Sequence, residues 1–408
     1  MGAHAGPDIN ENGLVLALDG ANYRSFKGEA TTNYYSTPET LTDGRVGTTS
    51  GGTYTDFTTG GPSGGRFTRW TNNTGTSGTT AWHWNIGYTN TGLATGQTLT
   101  VSFYARCPNG TLSNITLNSP DSLAINATLD STWRRYSGQI IYGGDYTSTP
   151  FFRINRSNSN SYTNGATYDI ANIQIETKSY STTFTTGTRG TTVATGGGWA
   201  DLTGNGNNGE LVNGVRESAN YSGSLSFDGV DDKIIIDASS STNLSSGNFT
   251  ISSWFYIPTS VDTTNLYYWL IAIGTSAGAY NTWYLRLWRS GIAPGCLFTR
   301  INDVVLLGTD GELNASYPGD YYKASGRWTY FTFVENNGTS YYYMNGSETG
   351  SASTPTIPSG NNYITIGNMS TDQSVSGFLV SNFSLYQRAL TATEIQKNFN
   401  AQRGRFGI

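Results

Sequence analysis

Short runs in which apolar and polar residues alternate recur along the 408-residue chain, separated by stretches rich in glycine and asparagine. In residues 98–107, TLTVSFYARC, and in residues 167–177, TYDIANIQIET, apolar side chains recur at every second position. A period of two is typical of a β-strand with one buried face. The pattern therefore predicts an all-β protein made of many short strands.

Two local signals add detail to this pattern. Within Trp328–Glu348, two alternating runs flank ENNGTS, and Asn-Gly between such runs predicts a hairpin. Thr391 and Glu394 have the spacing of a capping box, and Ile395 and Phe399 then fall on one helical face. We predict one short C-terminal helix that ends near residue 404.

The strand-like runs form two series, separated by a glycine-rich passage over residues 185–214. Regular spacing of short strands is typical of sandwiches and jelly rolls. We therefore predict two antiparallel β-sandwich or jelly-roll domains, with a boundary near Gly187.

Composition supports the all-β prediction and excludes several classes of function. Only 12% of residues are charged, against 51 Gly, 27 Tyr, 17 Phe and 10 Trp. The net charge of −5 and the lack of a Lys/Arg cluster argue against nucleic-acid binding. No apolar run approaches the roughly 20 residues that span a bilayer, and the N-terminus does not resemble a cleavable signal. We expect neither membrane insertion nor signal-dependent export.

An acidic stretch, SFDGVDDKIII (residues 226–236), interrupts the second series of strands. In one interpretation, Asp231 and Asp232 are oxygen ligands for Ca²⁺. In the other, Asp228-Gly229 forms a turn in which the Asp side chains accept local backbone N–H bonds. The turn is the favoured interpretation, because no further carboxylate-rich loop is recognisable.

Aromatic clusters provide candidates for carbohydrate binding, since sugar rings pack their C–H faces on aromatic rings. In AWHWN, strand alternation places two tryptophans on one face, and three further runs carry adjacent aromatics. The alternative is that these rings lie in the core or in a subunit interface. The candidates are Trp82, Trp84, Asn85, Tyr268, Trp288 and Tyr342.

The second half of the chain resembles the laminin-G-like, concanavalin A-like lectin/glucanase superfamily. WADLTGNGNNGELVNG, SLSFDGVDDKIII, FTISSWFYIP, ITIGN and GFLVSNFSLYQRALTATEIQKNF carry the resemblance, over Gly198–Phe399. It implies two antiparallel sheets packed face to face. Glucanases of this fold use two carboxylates on one strand, close to E-x-D-x-x-E, and no such run is present. With only two His residues a Ser-His-Asp triad is also poorly supported, so we expect no catalytic residues and no enzyme.

The opening GLVLALDGANYRSFKG and the ending NFNAQRGRFGI resemble proteins of tailed bacteriophages, in which the opening usually runs straight into W.DLSGNGNNG. This implies that residues 13–28 contribute the first strand of the C-terminal sandwich, residues 188–408. Residues 29–187 would be an inserted module, and TVSFYARC and TWRRYSGQI resemble galactose-binding-like jelly rolls of phage fibres. Residues 1–12 would be an N-terminal anchor segment.

These resemblances lead us to expect a virion structural protein, such as a tail fibre, head fibre or decoration protein, that attaches to host surface polysaccharide. It would bind other virion proteins through residues 1–12, and phage fibres suggest a homo-oligomer, expected to be a trimer. The alternatives are a purely structural decoration or connector protein, and a glycan-processing enzyme.

Overall fold

The chain is described by a computed structural model, in which antiparallel strands dominate and α1 (Ala392–Gln402) is the one α-helix of the described residues. This confirms the predicted all-β class with a short C-terminal helix. The described residues are 9–35, 52–72, 82–84, 93–119, 122–142, 152–154, 166–218, 221, 223–245, 247–258, 267–277, 279, 281–288, 296–301, 304–307, 326–354, 356–369 and 378–408.

The chain divides into two compact units. Unit 1 comprises Met1–Ala30 together with Gly190–Ile408, and unit 2 is Thr31–Arg189. The first strands of unit 1 are β1 (Leu14–Asp19) and β2 (Phe26–Gly28). The identity of unit 2 as a galactose-binding-like jelly roll stays a prediction.

The described strands of unit 2 precede the remaining strands of unit 1. Those of unit 2 are β3 (Thr31–Thr32), β4 (Gly52–Phe57), β5 (Phe67–Asn72), β6 (Trp82–Trp84), β7 (Thr98–Arg106), β8 (Leu112–Ser119), β9 (Ser122–Leu129), β10 (Arg134–Ile141), β11 (Phe152–Ile154), β12 (Thr167–Glu176) and β13 (Thr188–Arg189). Those of unit 1 are β14 (Gly198–Trp199), β15 (Gly209–Val212), β16 (Arg216–Glu217), β17 (Leu225–Ser226), β18 (Lys233–Ile236), β19 (Asn248–Tyr256), β20 (Tyr267–Gly274), β21 (Trp283–Trp288), β22 (Cys296–Ile301), β23 (Val304–Leu307), β24 (Trp328–Asn336), β25 (Thr339–Met344), β26 (Ser347–Ser353), β27 (Tyr363–Gly367) and β28 (Leu379–Tyr386).

Unit 1 contains two large antiparallel sheets. One follows the order β16-β17-β28-β19-β24-β25-β26, and β1 also pairs with β28, placing Leu18 opposite Phe383. The other follows the order β2-β14-β15-β18-β27-β20-β21-β22-β23. The predicted hairpin is present, because β24 pairs with β25 across a turn in which Asn337 and Gly338 have positive φ.

The core of unit 1 draws on alternate residues of both sheets. Ile251, Phe333 and Phe383 come from the first sheet, and Ile234 and Ile366 from the second. The opposite face of the first sheet carries a second apolar layer, which includes Trp254, Tyr330 and Phe399 of α1. The first sheet is therefore covered on both faces near its centre.

The helix α1 begins where the sequence predicted. Thr391 is its N-cap and accepts a hydrogen bond from the backbone N–H of Glu394, while the Glu394 carboxylate accepts one from the backbone N–H of Thr391. Asn10 docks on this helix, since its backbone N–H donates to Asn398 Oδ1 at 2.7 Å. Residues 1–8 of the predicted anchor segment lie outside the described residues.

Unit 2 contains a five-stranded sheet with the order β10-β7-β12-β5-β4 and a four-stranded sheet with the order β6-β11-β8-β9. Trp70, Phe103 and Ile170 of the five-stranded sheet belong to its core. Within the described part of the chain, no helix has the length and hydrophobicity to cross a bilayer.

Candidate functional site

The acidic stretch forms a tight turn between β17 and β18. Asp228 Oδ1 accepts a hydrogen bond from the backbone N–H of Val230 at 2.8 Å, and Asp232 Oδ2 accepts one from the backbone N–H of Asp228 at 2.8 Å. Gly229, between them, has φ +89°, a conformation that glycine adopts without strain. The local geometry is that of an Asx turn, in which Asp side chains replace backbone acceptors.

Two neighbouring segments hold this turn in place. The backbone N–H of Asn368 donates to the Asp232 carbonyl at 3.0 Å, and the Asn368 side chain donates to the Val230 carbonyl at 2.5 Å. Asn213, between β15 and β16, donates from Nδ2 to the Asp231 carbonyl at 3.1 Å. The three carboxylates therefore stand on a backbone that is fixed from both sides.

The turn brings three carboxylates together, and one of them is buried. Ligand oxygens of Asp228, Asp231 and Asp232 all lie within 4.8 Å of one another, with Asp228 and Asp231 exposed. Asp232 is only 2% exposed, and among the described residues its Oδ1 has no hydrogen-bond partner. Burial, together with a smaller effect of the Asp228 and Asp231 carboxylates, raises the pKa of the Asp232 carboxyl to about 6.

This donor set suits a hard divalent cation. Ca²⁺ is bound by oxygen ligands, with waters completing a shell of six to eight. A cation would supply the partner that Asp232 Oδ1 lacks, and the two exposed carboxylates keep the site open to solvent. Asp231 and Asp232 are the ligands in the less favoured of the two interpretations, whereas Asp228 was assigned to the turn alone. The turn geometry and the metal-binding potential therefore coexist in one structure.

A second cluster lies on the face of the nine-stranded sheet that points away from the core. Trp269 and Tyr284 contact each other edge to face, with ring centroids 5.3 Å apart, and both are 1% exposed. The guanidinium carbon of Arg286 lies 3.4 Å from the Trp269 centroid and 4.3 Å from the Tyr284 centroid. The two rings thus pack against the guanidinium group of Arg286, which is partly exposed.

The acidic turn and this cluster lie at the same end of the sheet. Asn368 bonds to the turn, and the next residue, Met369, packs with Trp269 and Tyr284. The strand order β18-β27-β20 places two strand spacings, about 10 Å, between the acidic turn and Trp269.

Four of the other predicted residues lie in described strands, and two of these strands, β20 and β21, pair with each other. Trp82 and Trp84 lie in β6, Tyr268 in β20 and Trp288 in β21, but their side chains are outside the described part of the structure. Asn85 lies outside the described residues altogether. These five assignments stay predictions.

Tyr342 requires a correction. It pairs with Phe333 across β24 and β25, is 1% exposed, and packs on the Phe333 ring at a centroid distance of 5.6 Å. Its ring belongs to the core between the sheets and cannot stack on a glycan. In the run Tyr341-Tyr342-Tyr343, strand alternation requires at least one ring to point away from the core. Only the register of β25 decides that the middle ring, Tyr342, points inward.

The sequence pattern alone did not identify Trp269, Tyr284 and Arg286 as a group. The run WYLRLW contained a signal, since alternation puts Tyr284 and Arg286 on one face and Trp283 and Leu285 on the other. Which face is the core was not readable from the strand itself. Trp269 joins the group only because β20 pairs with β21, with Trp269 opposite Arg286.

Comparison with solved structures gives distant likenesses. The botulinum neurotoxin serotype D binding domain is 17% identical with a TM-score of 0.38, and the alignment covers 50% of this chain and 49% of that one. The ligand-binding domain of the same serotype, solved with N-acetylneuraminic acid, is 16% identical with a TM-score of 0.38, over 50% and 48% of the two chains. The binding domain of Paraclostridial Mosquitocidal Protein 1 is 24% identical with a TM-score of 0.34, over 50% and 49%. The alignments thus span about half the length of each of these chains.

No curated protein matches the sequence. A family model does match: residues 228–396 correspond to Laminin_G_3, of the concanavalin A-like lectin/glucanases superfamily. The match begins at Asp228 of the acidic turn and ends within α1, so it contains both the turn and the Arg286 cluster. Residues 228–396 are therefore similar to concanavalin A-like lectin/glucanase domains of the laminin-G-like type.

Proposed function

We propose that unit 1 binds a glycan at the end of its nine-stranded sheet, with a divalent cation held by the acidic turn. One observation carries the proposal: Asp232 is buried beside two exposed carboxylates, and no described residue bonds to its Oδ1. The turn lies in the segment that matches a lectin/glucanase family model. An uncompensated buried carboxylate is costly unless a cation or a proton meets it. A bound cation offers open coordination positions to sugar hydroxyls.

Arg286 would contribute the second contact. Trp269 and Tyr284 are too deeply buried to touch a sugar themselves, but they hold the guanidinium in one orientation. Fixed hydrogen-bond donors lose less conformational entropy on binding than mobile ones. The turn, with its cation, and Arg286 would thus bind one oligosaccharide without any chemical step, and we propose binding rather than catalysis.

For the biological role of the chain, we propose a virion structural protein that attaches to host surface polysaccharide. The termini that resemble tailed-phage proteins and the lectin-like domain support this role. In this role the chain would contact other virion proteins, assemble as a trimer and be displayed on the particle. A decoration or connector protein without glycan affinity is the competing role.

The test uses the full chain, titrated first with Ca²⁺ by calorimetry and then with host surface polysaccharide in Ca²⁺ or EDTA. We expect Asp232→Asn to abolish Ca²⁺ binding and Asp237→Asn to retain it. Asp237 is a matched control, because it is an exposed aspartate at the other end of β18. Polysaccharide binding should need Ca²⁺ and should fall in Arg286→Lys while Ca²⁺ binding persists.

Two results would count against the proposal. Equal Ca²⁺ affinity in Asp232→Asn and Asp237→Asn would show that the acidic turn is not the Ca²⁺ site. Ca²⁺ binding without affinity for any host polysaccharide would leave a structural cation and favour the decoration role.

A further inference from the structure

Unit 2 carries a pair of arginines around one buried carboxylate, on the face of its five-stranded sheet that points away from the core. Arg69 on β5 and Arg106 on β7 both lie opposite Asp169 on the central strand β12. Arg69 donates to Asp169 from Nε at 2.6 Å and from Nη2 at 2.9 Å, and Arg106 donates from Nε at 2.9 Å. Asp169 is fully buried, and in the described part of the chain these two arginines are its ion-pair partners.

Aromatic rings flank both guanidinium groups. The Arg69 guanidinium carbon lies 5.1 Å from the Phe57 ring centroid, and Phe57 stacks on Phe67 at 4.5 Å. The Arg106 guanidinium carbon lies 4.6 Å from the Trp133 centroid, which is within cation–π range. Trp133 is itself fixed, because its Nε1 donates to the Gly60 carbonyl at 3.1 Å. We call these five side chains around Asp169 the arginine–aromatic cluster.

The charge of the arginine–aromatic cluster does not cancel. Two guanidinium cations face one carboxylate, which leaves one positive charge on a chain whose net charge is −5. The Arg69 and Arg106 side chains remain 27% and 23% exposed. Asp169 engages only Nε of Arg106, and among the described residues no hydrogen bond involves the two terminal nitrogens of that guanidinium. A pre-oriented pair of donors is therefore left at the surface.

We infer that the arginine–aromatic cluster binds the carboxylate of an acidic saccharide. The planar guanidinium presents parallel N–H groups that match the two oxygens of a carboxylate. The single excess positive charge balances a monoanion such as a uronate or a sialate. Trp133 and Phe57 are only partly buried, so their rings stand beside the cations where the C–H face of the sugar would lie.

The residues of this site belong to unit 2, whereas those of the proposed cation-dependent site belong to unit 1, and this site needs no metal. Binding should therefore persist in EDTA and weaken with ionic strength, because an arginine–carboxylate contact near the surface is screened by salt. These two properties separate failure of this inference from failure of the function proposed for unit 1.

The experiment measures binding of the full chain, in EDTA, to polygalacturonate, alginate and polysialic acid by biolayer interferometry. Fully methyl-esterified polygalacturonate is the matched neutral polymer, and dextran sulfate tests for a sulfate instead. Arg106→Gln should weaken binding by about tenfold or more, since hydrogen bonds to charged groups are among the strongest in proteins. Arg69 would still compensate Asp169 in this variant.

Arg134→Gln is the control variant, because it removes the same charge at the start of β10. Arg134 is 58% exposed and pairs with Asp130, outside the arginine–aromatic cluster. It should bind like the wild type. If Arg106→Gln does not fold, binding by Trp133→Leu is measured instead. This substitution leaves every hydrogen bond to Asp169 in place and should still weaken binding.

The inference is supported if at least one carboxylated polymer binds, its affinity falls in Arg106→Gln or Trp133→Leu, and Arg134→Gln is unchanged. It is overturned if none of the three carboxylated polymers binds, if the methyl ester binds as well as the acid, or if the cluster variants bind like the wild type. Stronger binding of dextran sulfate than of every carboxylated polymer would overturn the carboxylate class. If none of the carboxylated polymers binds, the arginine–aromatic cluster serves only to hold the sheet together.

Discussion

The ring of Phe406 stacks on the indole of Trp254, with centroids 4.1 Å apart and planes inclined by 22°. Phe406 lies in the short 3-10 turn after α1, and Trp254 lies on β19. The Trp254 indole also donates from Nε1 to Gln402 Oε1 at 2.7 Å. The end of the chain therefore covers the outer face of the first sheet of unit 1.

Removing this cover should destabilise unit 1. Phe406→Ala deletes a partly buried ring that also lies 4.7 Å from Trp328, and we expect it to lower the free energy of unfolding by about 1–3 kcal/mol. Urea unfolding followed by tryptophan fluorescence measures the change. Ile408→Ala is the control, since Ile408 is 45% exposed, and its effect should stay within about 0.5 kcal/mol. Equal effects of the two variants would contradict the packing role of Phe406.

The first turn of α1 should make stability depend on pH in the acid range. Arg388 donates to both oxygens of Glu394 at 2.7 and 2.9 Å, and this contact lowers the pKa of Glu394 to about 2. A carboxyl whose pKa is lowered on folding stabilises the fold above its unfolded value, about 4.5, and loses this stabilisation as the pH falls towards 2. We expect Glu394→Gln to cost about 1–3 kcal/mol at pH 7 and progressively less below pH 4.5.

Urea unfolding of wild type and variant at pH 7, 4 and 2.5 measures this difference. Glu11→Gln, at an exposed carboxylate of the same unit, should show no such pH-dependent difference. A Glu394→Gln effect that is the same at all three pH values would assign the loss to packing or capping rather than to the ion pair.

Asp232 should oppose folding at neutral pH when no cation is present. Its pKa is raised on folding to about 6, so the stability that protonation gives at low pH is lost as the pH rises from about 4 to 6. Asn at this position keeps an acceptor for the Asp228 N–H without the charge. In EDTA at pH 8, Asp232→Asn should therefore unfold at a higher temperature than the wild type, by calorimetry. Added Ca²⁺ should reverse the order, and a lower unfolding temperature in EDTA would refute this account.

The stability of unit 1 should depend on the pairing of β1 with β28, two strands that lie far apart in the sequence. Leu18 is 1% exposed and lies opposite Phe383. Leu18→Ala should cost about 2–5 kcal/mol and speed hydrogen exchange of the β28 amides, while Leu18→Met, which keeps the volume, should cost much less. The amides of β7 in unit 2 provide an internal reference. Unchanged exchange in β28 would contradict the pairing.

The sequence by itself determined the class of the fold and its local elements. Alternation with period two requires half-buried strands, Asn337-Gly338 supports a tight hairpin, and Thr391 with Glu394 sets the start of α1, because each is a property of neighbouring residues. The Asp turn at residues 228–232 was also predictable, since its hydrogen bonds join residues no more than four positions apart.

Only the tertiary structure decided which faces are buried and which side chains meet. The register of β25 put Tyr342 in the core, and the pairing of β20 with β21 brought Trp269 to Arg286. The same is true of Arg69, Asp169 and Arg106, which converge from three strands over 100 residues of sequence. A period of two shows that a strand has two faces, but it contains no information about what packs on either, because that depends on long-range pairing.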